Sequence, residues 1–90
     1  MSTAARAKAE PRIRAIEVDD RSIVARLDDG RVISVPLSWS WRLERATPAQ
    51  RSHYVISADG EEVHWPDIDE DISAHGMLQG TPAPRPKRKS

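Results

Sequence analysis

The first 35 residues of the chain contain three short stretches in which apolar residues alternate, at least in part, with polar ones. They cover residues 13–18, 23–27 and 31–35, and such alternation predicts strands that bury one face. The second and third stretches flank an Asp-Asp-Gly sequence that ends at Gly30, and an Asp-Gly pair supplies the positive φ angles of a tight hairpin turn. We therefore predict one strand followed by an antiparallel hairpin, with Gly30 as a structural residue.

Residues 37–51 follow a different spacing, which predicts the main helix. Trp39, Leu43 and Ala46 recur at nearly helical intervals and define its buried side, so Trp39 is predicted to be structural. Trp41 is rotated well away from that side. It either covers a second apolar surface or remains exposed as an anchor for a partner.

A second hairpin is predicted after this helix. Residues 47–50 first match a capping box, which begins another short helical turn. Residues 53–57 and 62–65 then read as two strands, joined by an Asp-Gly turn in which Gly60 is the structural residue.

The last predicted strand ends at a Trp-Pro step. Val63 and Trp65 fall on its core-facing side, and His64 falls on the opposite side. Pro66 stops the strand because it cannot donate to a ladder, so Trp65 and Pro66 are both assigned structural roles.

A short C-terminal helix over residues 73–78 completes the predicted fold. Ser73 is its expected N-cap, and Met77 and Leu78 are expected to close one edge of the core. We predict an α+β fold with one curved antiparallel sheet of about five strands from two Asp-Gly hairpins, one main helix and this short helix.

The length of 90 residues fits one small domain, which we place at residues 13–80. Residues 1–12 and 81–90 are predicted to be a disordered leader and a disordered basic tail. The chain has no cysteine and no apolar stretch of about 20 residues, so we expect a cytoplasmic protein without a membrane span.

The net charge of zero conceals a separation of charge along the chain. Residues 13–80 carry seven arginines against thirteen Asp and Glu residues, a net charge of −6, whereas both ends are basic. An acidic body opposes binding of a polyanion to its faces. A basic tail can still grip phosphates without sequence preference, which makes a nucleic-acid-binding accessory protein the alternative function. The residues that would do so are Arg85, Lys87, Arg88 and Lys89.

A cluster of carboxylates follows Pro66. Asp67, Asp69 and Asp71 alternate like the first ligands of a calcium loop, but Ile72 stands where that loop needs glycine and Leu78 where it needs its closing carboxylate. We therefore expect no metal site, and a metal-dependent hydrolase is only a minor alternative. The acids are interpreted as a charged approach to the last helix that doubles as a docking surface.

The sequence contains no recognisable catalytic motif. There is no Gly-x-Ser-x-Gly elbow, no paired histidines at helical spacing and no glycine-rich phosphate loop. We expect a protein that is not an enzyme, with no catalytic residues and no cofactor.

Several short motifs occur in a characteristic order along residues 13–80. They are Val35-Pro36-Leu37, Trp39 with Arg42-Leu43, Ala46-Thr47-Pro48 with Gln50-Arg51, the run His64-Trp65-Pro66-Asp67-Ile68-Asp69-Glu70-Asp71-Ile72-Ser73, and then Leu78 and Gly80. Their order resembles the domain-of-unknown-function 2442 family of small prokaryotic proteins. The chain departs from that pattern at Ser40-Trp41, where many relatives place an aromatic residue and a proline.

The resemblance implies a compact α+β domain and a role as the antitoxin-like member of a two-gene pair, and it brings no catalytic residues. Together with the acidic body, it leads us to expect a noncatalytic interaction module that binds and neutralises a small basic protein. The residues predicted to contact that partner are Trp41, His64, Asp67, Asp69, Glu70 and Asp71.

Overall fold

The computed structural model describes residues 11–80, and its first sheet follows the predicted order. Strands β1 (Ile13–Val18), β2 (Ser22–Leu27) and β3 (Val32–Pro36) pair antiparallel in the order β1-β2-β3. The turn between β2 and β3 places Gly30 at a φ of 96°, in the left-handed region that glycine tolerates. The predicted strand and first hairpin are confirmed.

The second sheet is separate from the first. Strands β4 (Val55–Ile56), β5 (Glu62–Trp65) and β6 (Glu70–Ser73) pair antiparallel in the order β4-β5-β6. The α+β class is confirmed, but the single sheet of about five strands is wrong. The carboxylate-rich residues 70–73 form a strand that completes the second sheet, where we expected a charged approach to the last helix.

The predicted main helix is divided into three short pieces. A 3₁₀ turn (Leu37–Trp39) precedes helices α1 (Trp41–Arg45) and α2 (Pro48–Ser52). Ser40 separates the first two pieces because its backbone is extended, with φ −124° and ψ 107°, and its side chain accepts a hydrogen bond from the Leu43 amide. The predicted capping box at the start of α2 is confirmed.

The last helix, α3 (Ala74–Gln79), begins at the predicted cap, where the Gly76 amide donates to the Ser73 hydroxyl. Met77 is buried in the core, but Leu78 is 42% exposed. The expectation that Leu78 closes the core is therefore wrong, because adjacent residues on a helix point in directions about 100° apart.

Both sheets contribute to one core. It contains Ile13, Ile16, Ile23, Ala25 and Leu27 from the first sheet, Val63, Trp65 and Ile72 from the second, and Leu37, Leu43, Ala74 and Met77 from the helices and the 3₁₀ turn. A backbone hydrogen bond joins the two halves, because the Ile13 amide of β1 donates to the Gly60 carbonyl at 2.6 Å. The Ala74 amide donates to the Glu61 carbonyl at 2.9 Å, which extends the β5–β6 pairing within the second half.

Three exposed aspartates stabilise the turns. The pKa of Asp19 is lowered by the Arg21 amide and then by the Ser22 amide, and that of Asp29 chiefly by the Arg31 amide. The pKa of Asp59 is lowered first by the Ser57 hydroxyl and then by the Glu61 amide. Each donor favours the ionised carboxylate, so these aspartates hold their turns in the charged form.

None of the helices within residues 11–80 combines the length and the apolar character that crossing a membrane requires. The predicted basic tail and the first ten residues of the predicted leader lie outside the described residues. Arg12, the last residue of that predicted leader, is described, and its carbonyl accepts a hydrogen bond from the Asp28 amide at 3.0 Å.

Candidate functional site

The outward side of the second sheet carries a row of three side chains, one from each strand. Val55 on β4 is the register partner of His64 on β5, and His64 is the partner of Asp71 on β6. The next row, with Val63 and Ile72, faces the core because successive side chains on a strand point to opposite sides. The predicted outward direction of His64 is therefore confirmed.

Two histidine–aspartate pairs lie at this surface. His64 Nδ1 is 2.8 Å from Asp71 Oδ1, and His53 Nδ1 is 2.9 Å from Asp67 Oδ2. All four side chains are between 42% and 60% exposed. We call the surface formed by His53, Val55, His64, Asp67 and Asp71 the His–Asp face.

Val55 adds an exposed apolar side chain at one end of this polar row. It is 56% exposed, and the other exposed large hydrophobic side chains in residues 11–80 are Val32 at 54% and Leu78 at 42%. An exposed apolar side chain beside polar ones is a feature of many protein interfaces.

Glu70 does not belong to this surface. Its side chain is 4% exposed, accepts a hydrogen bond from the Ser40 hydroxyl, and accepts another at 3.0 Å from the Asp71 amide. Arg42 Nη1 lies 3.8 Å from Oε1 of the Glu70 carboxylate. The expectation of Glu70 as an exposed partner contact is wrong, because residues alternate along β6 and this one points inward.

Asp69 is exposed and lies in the loop between β5 and β6. Its φ is +53°, which aspartate tolerates better than most residues outside glycine. The structure thus leaves Asp67, Asp69 and Asp71 at the surface. Within residues 11–80, no three His, Asp or Glu side chains are grouped so that they could hold a metal ion.

Trp41 lines a cleft of its own, which we call the Trp41 cleft. The ring is half-buried, and the Cζ atoms of Arg42 and Arg45 lie 4.6 and 6.0 Å from its centroid. The cleft has a volume of about 230 Å³ and is lined by Trp41, Arg42, Arg45, Ala46, Gln50 and Ile68. Its neighbours are therefore cationic as well as apolar.

The residues predicted to be structural lie mainly inside the protein. Trp65 is fully buried, and its Nε1–H donates to the Arg51 carbonyl at 3.0 Å. Trp39 packs against the core, and Gly60 is buried with a φ of 74°. Pro66 is exposed and follows the last residue of β5.

Arg51 is an important residue that sequence reasoning missed. Its buried guanidinium donates to the carbonyls of Leu43 at 3.0 Å and Glu44 at 3.2 Å, and to Asp20 at 3.0 Å. It thereby satisfies the C-terminal carbonyls of α1. No local sequence pattern predicts this role, because Asp20, in the turn between β1 and β2, is 31 residues away in the sequence.

The basic residues of the alternative hypothesis, Arg85, Lys87, Arg88 and Lys89, lie outside the described residues. Their proposed contact with nucleic acid stays a prediction.

Comparison with known proteins places the fold among structures without an assigned function. A protein of unknown function from Rhodospirillum rubrum is similar, with a TM-score of 0.73 and 25% identity over 86% of this chain and 95% of that one. An uncharacterized protein from Chromobacterium violaceum is similar in fold, with a TM-score of 0.69 and 24% identity over 90% of this chain and 74% of that one.

No curated protein matches the sequence. A family model described as "Protein of unknown function (DUF2442)" matches residues 13–83, which confirms the resemblance seen in the sequence motifs. The chain therefore belongs to the DUF2442 family.

Proposed function

We propose that this protein is a noncatalytic interaction module whose His–Asp face binds a small basic protein. In this proposal it is the antitoxin-like member of a two-gene pair and neutralises the partner by covering it. The observation that carries the proposal is that the exposed Asp67 and Asp71 are each hydrogen-bonded to a histidine, and that Asp71 shares a cross-strand row with the exposed Val55.

The choice of histidine matters for binding. Within residues 11–80, the ion pairs of Asp67 and Asp71 are formed with His53 and His64, and no arginine lies within ion-pair distance of either carboxylate. An ionised carboxylate has about four acceptor sites, so an imidazole that occupies one leaves others open. A lysine or arginine of a partner would form a charge-assisted hydrogen bond there, which is stronger than one to a neutral donor.

The remainder of the described chain favours the same kind of partner. Residues 11–80 contain eight arginines, no lysine and thirteen Asp and Glu residues, a net charge of −5 with the histidines neutral. A negative body speeds the approach of a basic protein and repels an acidic one.

The decisive binding experiment uses the small protein encoded beside this chain's gene, titrated into the full chain by calorimetry. We expect tight binding that weakens about tenfold or more in the Asp67→Asn/Asp71→Asn variant, since two interfacial charges are lost. The matched control is Glu17→Gln/Asp28→Asn, which removes two exposed charges from the first sheet and its turn. We expect it to change the affinity less than about threefold, through the long-range field alone.

A second comparison of a test variant with its control uses two exposed valines, one on each sheet. Val55→Ser should weaken binding, whereas Val32→Ser should not, although Val32 is 54% exposed on the other sheet. Absence of binding, or equal effects of the face variants and their controls, would contradict the proposed docking surface.

Neutralisation is tested separately in growing cells. We expect the neighbouring protein to slow growth when expressed alone and this chain to restore growth when both are expressed. If the neighbour binds but is harmless alone, the docking proposal stands and the antitoxin-like role is lost.

A further inference from the structure

The Trp41 cleft contains two cations whose charges are only partly compensated. Arg45 forms no ion pair with a carboxylate of residues 11–80, where the six ion pairs involve other side chains. Arg42 lies 3.8 Å from Glu70, beyond hydrogen-bond distance, and Glu70 already accepts from Ser40 and from the Asp71 amide. The cleft therefore has positive charge available for an anion.

The indole ring holds these cations at the cleft. Arg42 and Arg45 lie within about 6 Å of the ring centroid of Trp41, the range of a cation–π interaction. Contact with an aromatic face uses none of the N–H donors, which lie in the plane of the guanidinium group. A ligand would meet guanidinium groups that are already positioned, which lowers the entropy cost of binding.

The other walls of the cleft select the kind of anion. Ala46 and Ile68 are apolar, and the cavity of about 230 Å³ is below the range typical of small-molecule sites. It therefore suits one side chain rather than a larger ligand. Asp67 and Asp69 flank Ile68 in the chain, and the body is acidic, so a polyanion would be repelled.

We propose that the Trp41 cleft binds the C-terminal residue of a protein, with its free carboxylate on Arg42 and Arg45 and its apolar side chain against Trp41 and Ile68. An internal Asp or Glu side chain would bring a carboxylate without the apolar group. A terminal leucine or similar residue brings both within a few bonds of each other. Capture of a terminal carboxylate is an established mode of peptide recognition.

This site is independent of the His–Asp face, and its test uses peptides instead of the neighbouring protein. The probe is acetyl-Gly-Ser-Gly-Leu with a free C-terminal carboxylate, titrated into the full chain while the indole N–H resonance of Trp41 is followed. We expect a saturable shift of that resonance with a dissociation constant of about 1 mM or below. The same peptide with a C-terminal amide should bind at least about tenfold more weakly, because a charged hydrogen bond is lost.

Arginine variants test where the C-terminal carboxylate of the peptide binds. Arg42→Gln/Arg45→Gln should reduce affinity for the free peptide to that of the amide, whereas Arg26→Gln/Arg31→Gln, which removes two exposed arginine charges from the first sheet, should leave it within about twofold. The Asp67→Asn/Asp71→Asn variant should also retain peptide binding, so this result separates the two proposals. Unchanged far-UV circular dichroism verifies that each variant is folded.

Three outcomes would overturn the inference. The first is no shift of the Trp41 resonance at about 5 mM peptide, well above the expected dissociation constant. The second is equal binding of the free and amidated peptides. The third is tighter binding of a ten-residue oligothymidylate than of the peptide, which would make the cleft a nucleic-acid site.

Discussion

Ser40 is the residue on which the path of the middle of the chain depends most. It is fully buried, accepts a hydrogen bond from the Leu43 amide as the N-cap of α1, and donates its own proton to Glu70 on β6. One hydroxyl group thus starts a helix and satisfies a buried carboxylate from the second sheet.

Replacing Ser40 by alanine is expected to lower the free energy of unfolding by about 2 kcal/mol, because the helix loses its cap and a buried carboxylate loses a donor. Urea unfolding followed by circular dichroism measures this. The control is Ser34→Ala on the exposed side of β3, where we expect a change within about 0.5 kcal/mol. Equal effects of the two substitutions would show that the Ser40 hydroxyl contributes nothing of its own.

The two hairpin turns show how similar local sequences can have different structural demands. Gly30 and Gly60 each follow an aspartate and adopt a positive φ. A Cβ atom added at Gly30 would have no neighbour within 4 Å, whereas one at Gly60 would lie 3.0 Å from Arg12 Cβ and 3.4 Å from the Ile13 nitrogen. Gly60 therefore also permits close contact between the sheets.

Gly60→Ala is expected to be more destabilising than Gly30→Ala. Each substitution places a Cβ in the left-handed region, at a cost of about 1–2 kcal/mol. At Gly60 the contact with Arg12 and the adjacent hydrogen bond from Ile13 add about 1–3 kcal/mol, the usual cost of overpacking. Thermal unfolding of the two variants measures the difference.

The source of the extra cost can be checked with Arg12→Gly, which removes the nearest atom. In a double-mutant cycle, Gly60→Ala should be less destabilising in the Arg12→Gly background than in the natural sequence. Additive effects would place the cost of Gly60→Ala in its backbone conformation alone.

The elements that could be predicted from sequence are those with local causes. The Asp-Gly turns, the capping box from Thr47 to Gln50 and the Ser73 cap each satisfy backbone groups within a few residues, so the pattern contains the whole reason for them. The outward direction of His64 followed in the same way from alternation along a strand.

β6 could not be predicted because its causes are distant. Asp and Glu have low strand propensity, and four of the residues from 67 to 71 are acidic. Pairing with β5 and the bond from Ser40, 30 residues away, make Glu70 an inward-facing strand residue. The His–Asp pairs and the convergence of Trp41 with Ile68 depend on the same nonlocal arrangement, so the candidate sites were only partly visible in the sequence.

At the scale of the whole molecule, the two sheets depend on each other. Neither has two covered faces, and β4 is only two residues long, so a three-stranded sheet of this size does not have enough buried surface to be stable alone. Their shared core and the hydrogen bond from the Ile13 amide to the Gly60 carbonyl supply what each lacks. The structure therefore predicts a single cooperative unit despite its two sheets.

This cooperativity is tested by weakening one sheet and observing the other. Ile23→Val in β2 and Ile72→Val in β6 each remove one buried methylene group, at an expected cost of about 1 kcal/mol. Amide exchange of Ala25 reports on the first sheet, and that of Val63 reports on the second. If the sheets unfold together, each substitution lowers the protection of both amides by the same free energy, wherever it is made. If Ile72→Val lowered the protection of the Val63 amide and left the protection of the Ala25 amide unchanged, the second sheet would open independently of the first. The two halves would then be coupled more weakly than their shared core implies.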